Sequence, residues 1–427
     1  MRAPESANRS AIIRSLTIPT ALFCKLLHLV FRVAALCFLG ACFWLSGCGG
    51  EPASTAPPTT GFAHRAFVSN FQDGSLHIVD ADRDVESLFF FIATGSRPGP
   101  MAVTPDKTRT LVFNTGSNAL AVVDNDTEQA LGEFNLGEQT ESFVILPDHK
   151  TVFIALRNQN AVSVLDISTL QITNSISVVT PRRLVLSNNG SKLLVFSDDS
   201  DTLTVIDTAN KTASSPIVGF NRPVFGVFSS DDSKAYIMSC GPECDPAATS
   251  AKVTVLDMSA NPPVPGLSVN VPAATVGLLD GNTLYVAGSP PGATCSGSTL
   301  ATTCGRLSVI DAAALTVSPT TVEITDGFHD RMELGSNSKL FVGARTCTNI
   351  DTPAETRGCL SIVNPSSSSA VVSPDVGDVT GIAPITGRNV VYVVIGGELR
   401  IYDTTTDAPQ ATQVFVTGRL VDVKEVD

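Results

Sequence analysis

Six of the ten cysteines fall in three close pairs, Cys240/Cys244, Cys295/Cys304 and Cys347/Cys359, and covalent chemistry is the first thing such spacing suggests. A zinc site fits poorly, because structural zinc usually takes four ligands of regular spacing. Here the gaps are CxxxC, Cx8C and Cx11C, and no histidine lies close by in sequence. Three local disulfides are the expectation. The other four cysteines, Cys24, Cys37, Cys42 and Cys48, sit near the N-terminus and belong to a different argument.

Other reactive constellations are sparse. His329-Asp330 is the single His–Asp adjacency, and Arg331 follows it; His64, His77 and His149 stand far apart. No GxSxG, HExxH or CxxCH occurs, and no glycine-rich phosphate loop opens a helix. The sequence therefore nominates no catalytic set, no metal site and no cofactor. Asp80-Ala81-Asp82-Arg83-Asp84 and Asp124-Asn125-Asp126 have the acid spacing of calcium-loop fragments. Both lack the glycine and the distal glutamate of an EF-hand, so turn chemistry is the expected role.

The elements that must position these residues are repeats. A β-branched phrase closed by an acid or amide ends at Asp80, Asp124, Asp166, Asp207, Asp257, Asp311, Asn364 and Asp403, at spacings of 39 to 54 residues. Lys192–Asp207, KLLVFSDDSDTLTVID, shows the unit plainly: a strand, a polar turn, and a second strand ending in Val205-Ile206-Asp207. Alternation such as Leu203 and Val205 against Thr202 and Thr204 gives each strand one inward and one outward face. A period near forty with short alternating strands marks β-propeller blades.

Each repeat also holds a preceding strand, such as LVFN at Leu111, FIAL at Phe153 or YVVI at Tyr392, led by apolar strands and turns such as MAVTPDKT and VFGVFSSDDS. These phrases resemble the YVTN family of propeller repeats over nearly everything from Phe62 onward. The resemblance implies an all-β propeller of four-stranded antiparallel blades, seven of them in many members. Strand counting here gives eight, with Leu420–Val426 completing the first blade and so removing the open edges. Some propellers of this kind are lactonases or carry dehydrogenase subunits, so the resemblance leaves a channel-mouth enzyme as the alternative function.

The three long spacings have one cause: the connection between the second and third strands expands in the blades of Tyr236, Tyr285 and Phe341, and each expansion carries one cysteine pair. Such loops on a rigid scaffold are a natural recognition surface; their polar residues include Glu243, Asp245, Arg345, Asn349, Asp351, Glu355 and Arg357. Arg97, Arg222 and Arg419 align at one position on the same face, with Arg182 and Arg183 one and two residues past it, and His329, Asp330 and Arg331 in the same region. They form either an anion-binding channel mouth or guanidiniums paired to acids such as Glu138 and Asp378.

The N-terminus supplies an address. Scattered bases from Arg2 to Arg32 precede the apolar run Val33–Leu45, which is short for a membrane span. The run ends in Leu45-Ser46-Gly47-Cys48, which resembles the bacterial lipoprotein box. That resemblance implies a signal peptide over residues 1–47, a lipidated Cys48 and, with Gly49 following, the outer membrane. Residues 48–60, rich in Pro, Ser and Thr, would be an extended tether, and 61–427 the propeller. An uncleaved anchor is the other reading; either puts the globular part outside the cytoplasm, where disulfides persist. The formal net charge of −13 repels phosphate backbones and argues against nucleic-acid binding. The lone tryptophan, Trp44, lies in the N-terminal segment, so the tryptophan platforms of many carbohydrate binders are missing. The combined expectation is a lipid-anchored scaffold whose partner is the membrane on one side and another envelope or surface protein on the other.

Overall fold

The computed structural model describes residues 58–427, except 199, 297–302, 349, 350, 353, 354 and 357. Cys48, the tether up to residue 57 and the loop residues Asn349 and Arg357 lie outside the described residues. Eight four-stranded antiparallel sheets follow one another from Arg65 to Glu425 and form a ring, a β-propeller of eight blades. No helix among the described residues is long and apolar enough to cross a membrane.

Each blade runs outward from the channel. The inner strands of blades one to eight are Leu420–Glu425, Pro98–Val103, Phe143–Ile145, Pro181–Leu186, Pro223–Phe228, Val276–Asp280, Phe328–Leu334 and Val379–Pro384. Leu420–Glu425 pairs antiparallel with Arg65–Asn70, so the last strand is the innermost strand of the first blade, as strand counting anticipates. Arg65 clamps this seam: its guanidinium meets Asp427 at 2.5 Å and Glu128 at 3.1 Å.

The Asp or Asn that closes each repeat has a local task. In all eight copies its side chain accepts a backbone N–H two or three residues on, as with Asp80 and the Asp82 amide at 3.0 Å or Asp403 and the Thr405 amide at 2.7 Å. Asp and Asn make this turn because their side chains mimic a backbone acceptor. In the two calcium-like stretches, Asp80 and Asp124 are thereby occupied by the turn itself, and Asp84 is held by Arg388 at 2.6 Å.

Packing shows what the alternation sorts. Leu203, Thr204, Val205 and Ile206 are all buried, so alternation does not divide a solvent face from a core face. A blade is covered on both sides by its neighbours, and alternation sorts side chains between two inter-blade layers. Eight apolar clusters result, each shared by two adjacent blades. In blade eight the outer strand is only Ala408–Pro409. There the Gln413 side chain accepts the Ile401 amide at 2.8 Å, standing in for backbone pairing.

Candidate functional site

The connections between second and third strands and those leading into the inner strands share one face: the Cys240 amide donates to the Arg222 carbonyl at 3.1 Å, and the Phe71 amide to that of Arg419 at 2.8 Å. The three enlarged loops of blades five, six and seven rise from it. Each is closed by its own disulfide, Cys240–Cys244, Cys295–Cys304 and Cys347–Cys359, with Cα separations of 5.7, 5.1 and 5.6 Å. The first loop is a single 3-10 turn over Gly241–Glu243. Gly241 has φ of 56°, and a Cβ there would stand 2.4 Å from the Ser250 carbonyl oxygen, so only glycine lets the turn close. A two-stranded hairpin, Asp351–Thr352 with Glu355–Thr356, tips the third.

Carboxylates stitch the loops together. Glu243 of blade five accepts the Ser289 amide of blade six at 2.8 Å, and the Ser289 hydroxyl donates to the Gly327 carbonyl on the way into blade seven at 2.7 Å. Asp326 takes the Thr303 hydroxyl of the second loop at 2.5 Å and the Thr348 amide of the third at 2.7 Å. Asp378, entering blade eight, takes the Thr346 amide at 2.7 Å. The three loops and the strand entries beneath them thus form one continuous, cross-linked surface. Burial pushes the Glu243 carboxyl up to about 8, with the Ser289 amide pulling the other way.

The arginines separate into three groups. Arg182 pairs with Glu141 at 2.8 Å and Asp198 at 3.2 Å, and Arg222 approaches Asp245 of the first loop at 4.0 Å. These pairings differ from the expected ones: Glu138 accepts the Asn158 and Gln159 amides, and Asp378 the Thr346 amide. Arg97 and Arg222, with φ of 56° and 54°, occupy equivalent turns before a proline; Thr180 takes that place in blade four, which moves Arg182 and Arg183 into the strand.

A second group plugs the channel. Arg183, on the inner strand of blade four, lies 4.2 Å over the Phe225 ring of blade five and donates to the Asp330 carbonyl of blade seven at 3.1 Å. A side chain joining inner strands three blades apart must cross the channel. Burial pulls this guanidinium down to about 10, helped by Arg331, Arg182 and Arg345 and opposed by Asp330; it stays charged at neutral pH. The Asp330 carboxylate is shared between Arg345 at 2.9 Å and Arg331 at 3.5 Å. His329 points elsewhere: it has 0% exposure, and burial pulls it down to about 4. The histidine nominated by adjacency to Asp330 is therefore an interior, neutral residue.

The third group is Arg97 and Arg419. Their guanidiniums lie 5.3 and 5.2 Å from the centre of the Phe71 ring, on the rim of an open cavity of about 570 Å3 that Asp73, Gly74 and Ser96 also line. Among the described residues neither forms an ion pair. Sequence reasoning named the two arginines, and Arg183 with them, but missed Phe71 and Phe225, since nothing in a turn or strand aromatic announces a cation stacked on it.

Three solved structures show how widely this architecture is used. Dihydro-heme d1 dehydrogenase NirN in complex with DHE matches with a TM-score of 0.63 at 12% identity, over 87% of this chain and 77% of that one. Apo AztD from Citrobacter koseri matches with a TM-score of 0.53 at 12% identity, over 85% and 97%. A functionally unknown protein from Desulfotomaculum acetoxidans DSM 771 gives 0.50 at 10% identity, over 84% and 94%. No known family profile and no curated protein matches the sequence. What this chain has in common with those structures is the propeller fold alone.

Proposed function

We propose that this protein is a lipid-anchored, extracytoplasmic scaffold that holds another envelope or surface protein on the loop face of blades five to seven. The observation that carries the reading is the stitching of three disulfide-closed loops through Glu243, Ser289, Asp326 and Asp378. A surface ordered before binding loses little conformational entropy when a partner docks. The N-terminal charge pattern, apolar run and Leu45–Cys48 box support the anchor, and the three disulfides suit an oxidising compartment. The test is a crosslinking pull-down from intact envelopes, comparing the native chain with one whose three loops are replaced by short turns. Partners lost on replacement support the reading, and partners retained by a folded loop-swapped protein overturn it.

The unpaired guanidiniums of Arg97 and Arg419 favour a second use of the same face, binding of a small di- or tricarboxylate at the Phe71 cavity. Calorimetric titration with citrate should show binding that the Arg97→Ala/Arg419→Ala double variant loses; equal heats from both proteins would refute it. The lactonase-like or dehydrogenase-associated alternative needs a reachable base near the channel mouth. It would work around His329, Asp330 and the arginines; His329 is interior, and binding is the better-supported reading.

A further inference from the structure

Blade one carries an outer strand unlike the others. Val85–Ala93 pairs with Ser75–Asp80, yet its register breaks: Glu86 faces Val79 and Phe91 faces His77, so Ser87-Leu88-Phe89-Phe90 stands opposite Ile78 alone. An ordinary bulge adds one residue, as Thr173 does in blade three. This larger bulge is filled with apolar side chains. Leu88 is 79% exposed, Phe89 86% and Phe91 63%. Phe90 points the other way, packed against the layer between blades one and two, and its amide bonds to the Ser87 hydroxyl at 3.2 Å. One aromatic thus roots the bulge in the core while its neighbours project into solvent.

We propose that this bulge rests in a lipid bilayer. The inference rests on the lipid-anchor reading of Cys48, and the place where the described chain begins is what ties it to a membrane. Phe62 packs against the same inter-blade layer as Phe90. Thr60 is held by Glu128, its amide at 2.6 Å and its hydroxyl at 2.5 Å. The tether therefore reaches the propeller beside the root of the bulge. Thr60 stands twelve positions after Cys48, a reach of at most about 40 Å, so a bilayer holding a Cys48 lipid lies within range. Stretch 87–93, SLFFFIA, carries no charge, and the nearest acid, Glu86, is bonded to His77 at 2.5 Å. A lipid on Cys48 holds the chain to the membrane through a tether, and burying a further apolar contact adds to that attachment. Insertion of Leu88 and Phe89 would add that contact and fix the propeller's orientation on the surface.

The test uses the full chain in a Trp44→Phe background, where Phe89→Trp supplies the only indole. With phosphatidylcholine vesicles carrying brominated acyl chains, its emission should shift to the blue and be quenched. An indole from Leu131→Trp, on the outer strand of blade two, should stay unquenched. Leu88→Ser/Phe89→Ser should lower vesicle partitioning by about tenfold or more. Vesicle-bound protein whose Phe89→Trp indole remains water-exposed overturns the proposal. So does a blue shift without vesicles at dimer mass, which would mean that a second copy covers the strand. Fatty-acid labelling with Cys48→Ser reports separately on the anchor. Lipid on Cys48 with an unquenched indole sinks the bulge and spares the anchor, whereas a quenched indole without lipid does the reverse.

Discussion

The Ser289 amide donates to the Glu243 carboxyl at 2.8 Å, and this bond joins the disulfide loop of blade five to the blade beside it. Burial raises that carboxyl from the ordinary 4.5 to about 8. The folded protein therefore binds a proton here that the unfolded chain releases above the ordinary value. The stabilisation is full below about pH 4.5 and is lost as pH rises to about 8. Hydrogen exchange at the Ser289 amide should speed up between pH 6 and 8.5 by more than intrinsic exchange chemistry accounts for. Glu243→Gln keeps the acceptor without the titration and should flatten that excess. An unchanged excess in the variant would remove Glu243 from the account.

Ring closure concentrates stability in few residues. Asp422 on the last strand is 2% exposed, accepts the Met101 amide of blade two at 2.9 Å, and its own amide bonds to the Ser69 hydroxyl at 2.9 Å. Asp422→Ala leaves a buried N–H without its acceptor and should cost about 1–3 kcal/mol. Deleting Leu420–Asp427 exposes two inter-blade layers at once and should abolish the single cooperative transition in urea. A truncated chain that still unfolds in one step at the same midpoint would contradict ring closure as the source of cooperativity.

The repeat and its closure were legible because they rest on local chemistry. A turn-capping Asp or Asn recurs eight times, and each copy needs nothing beyond its own blade. The loop disulfides were legible for the same reason, since the partners stand close along the chain. The channel plug was not. Arg183 meets Phe225 and Asp330 only after the ring closes, and it stands three residues past Thr180, which holds the Arg97 turn position in its blade, so it lies in the channel instead of at the mouth. The bulge in blade one was hidden too, because SLFFFIA read along the chain looks like any apolar strand. Only pairing with Ile78 reveals four residues where one would fit.

Asp330 holds a knot of positive charge. Arg345 and Arg331 face its carboxylate and Arg183 its carbonyl, so Asp330→Asn would leave three guanidiniums without a counter-charge in the channel. Arg345 is 42% and Arg331 24% exposed, so the expected cost is about 1–2 kcal/mol, between the scales of surface and enclosed ion pairs. Raising ionic strength should recover part of it, whereas a packing defect would be insensitive to salt. Urea midpoints at low and high sodium chloride measure both. A variant within experimental error of the parent would show that channel water already screens the cluster.

His329 should behave opposite to Glu243. Burial lowers its folded value to about 4 against an ordinary 6.5, so the unfolded chain takes the proton first. Stability is unaffected above about pH 6.5 and falls as pH drops towards 4. His329→Leu removes the titrating group and should reduce acid sensitivity in that window, even if its midpoint at pH 7.5 is lower through imperfect packing. The comparison is therefore the difference between pH 7.5 and pH 4.5 for each protein. Loss of most of the pH-dependent part in the variant would identify the buried imidazole as the acid-labile element of the sixth and seventh blades. Equal differences in both proteins would show that it stays unprotonated through unfolding, or that carboxylates elsewhere dominate, and would refute that assignment.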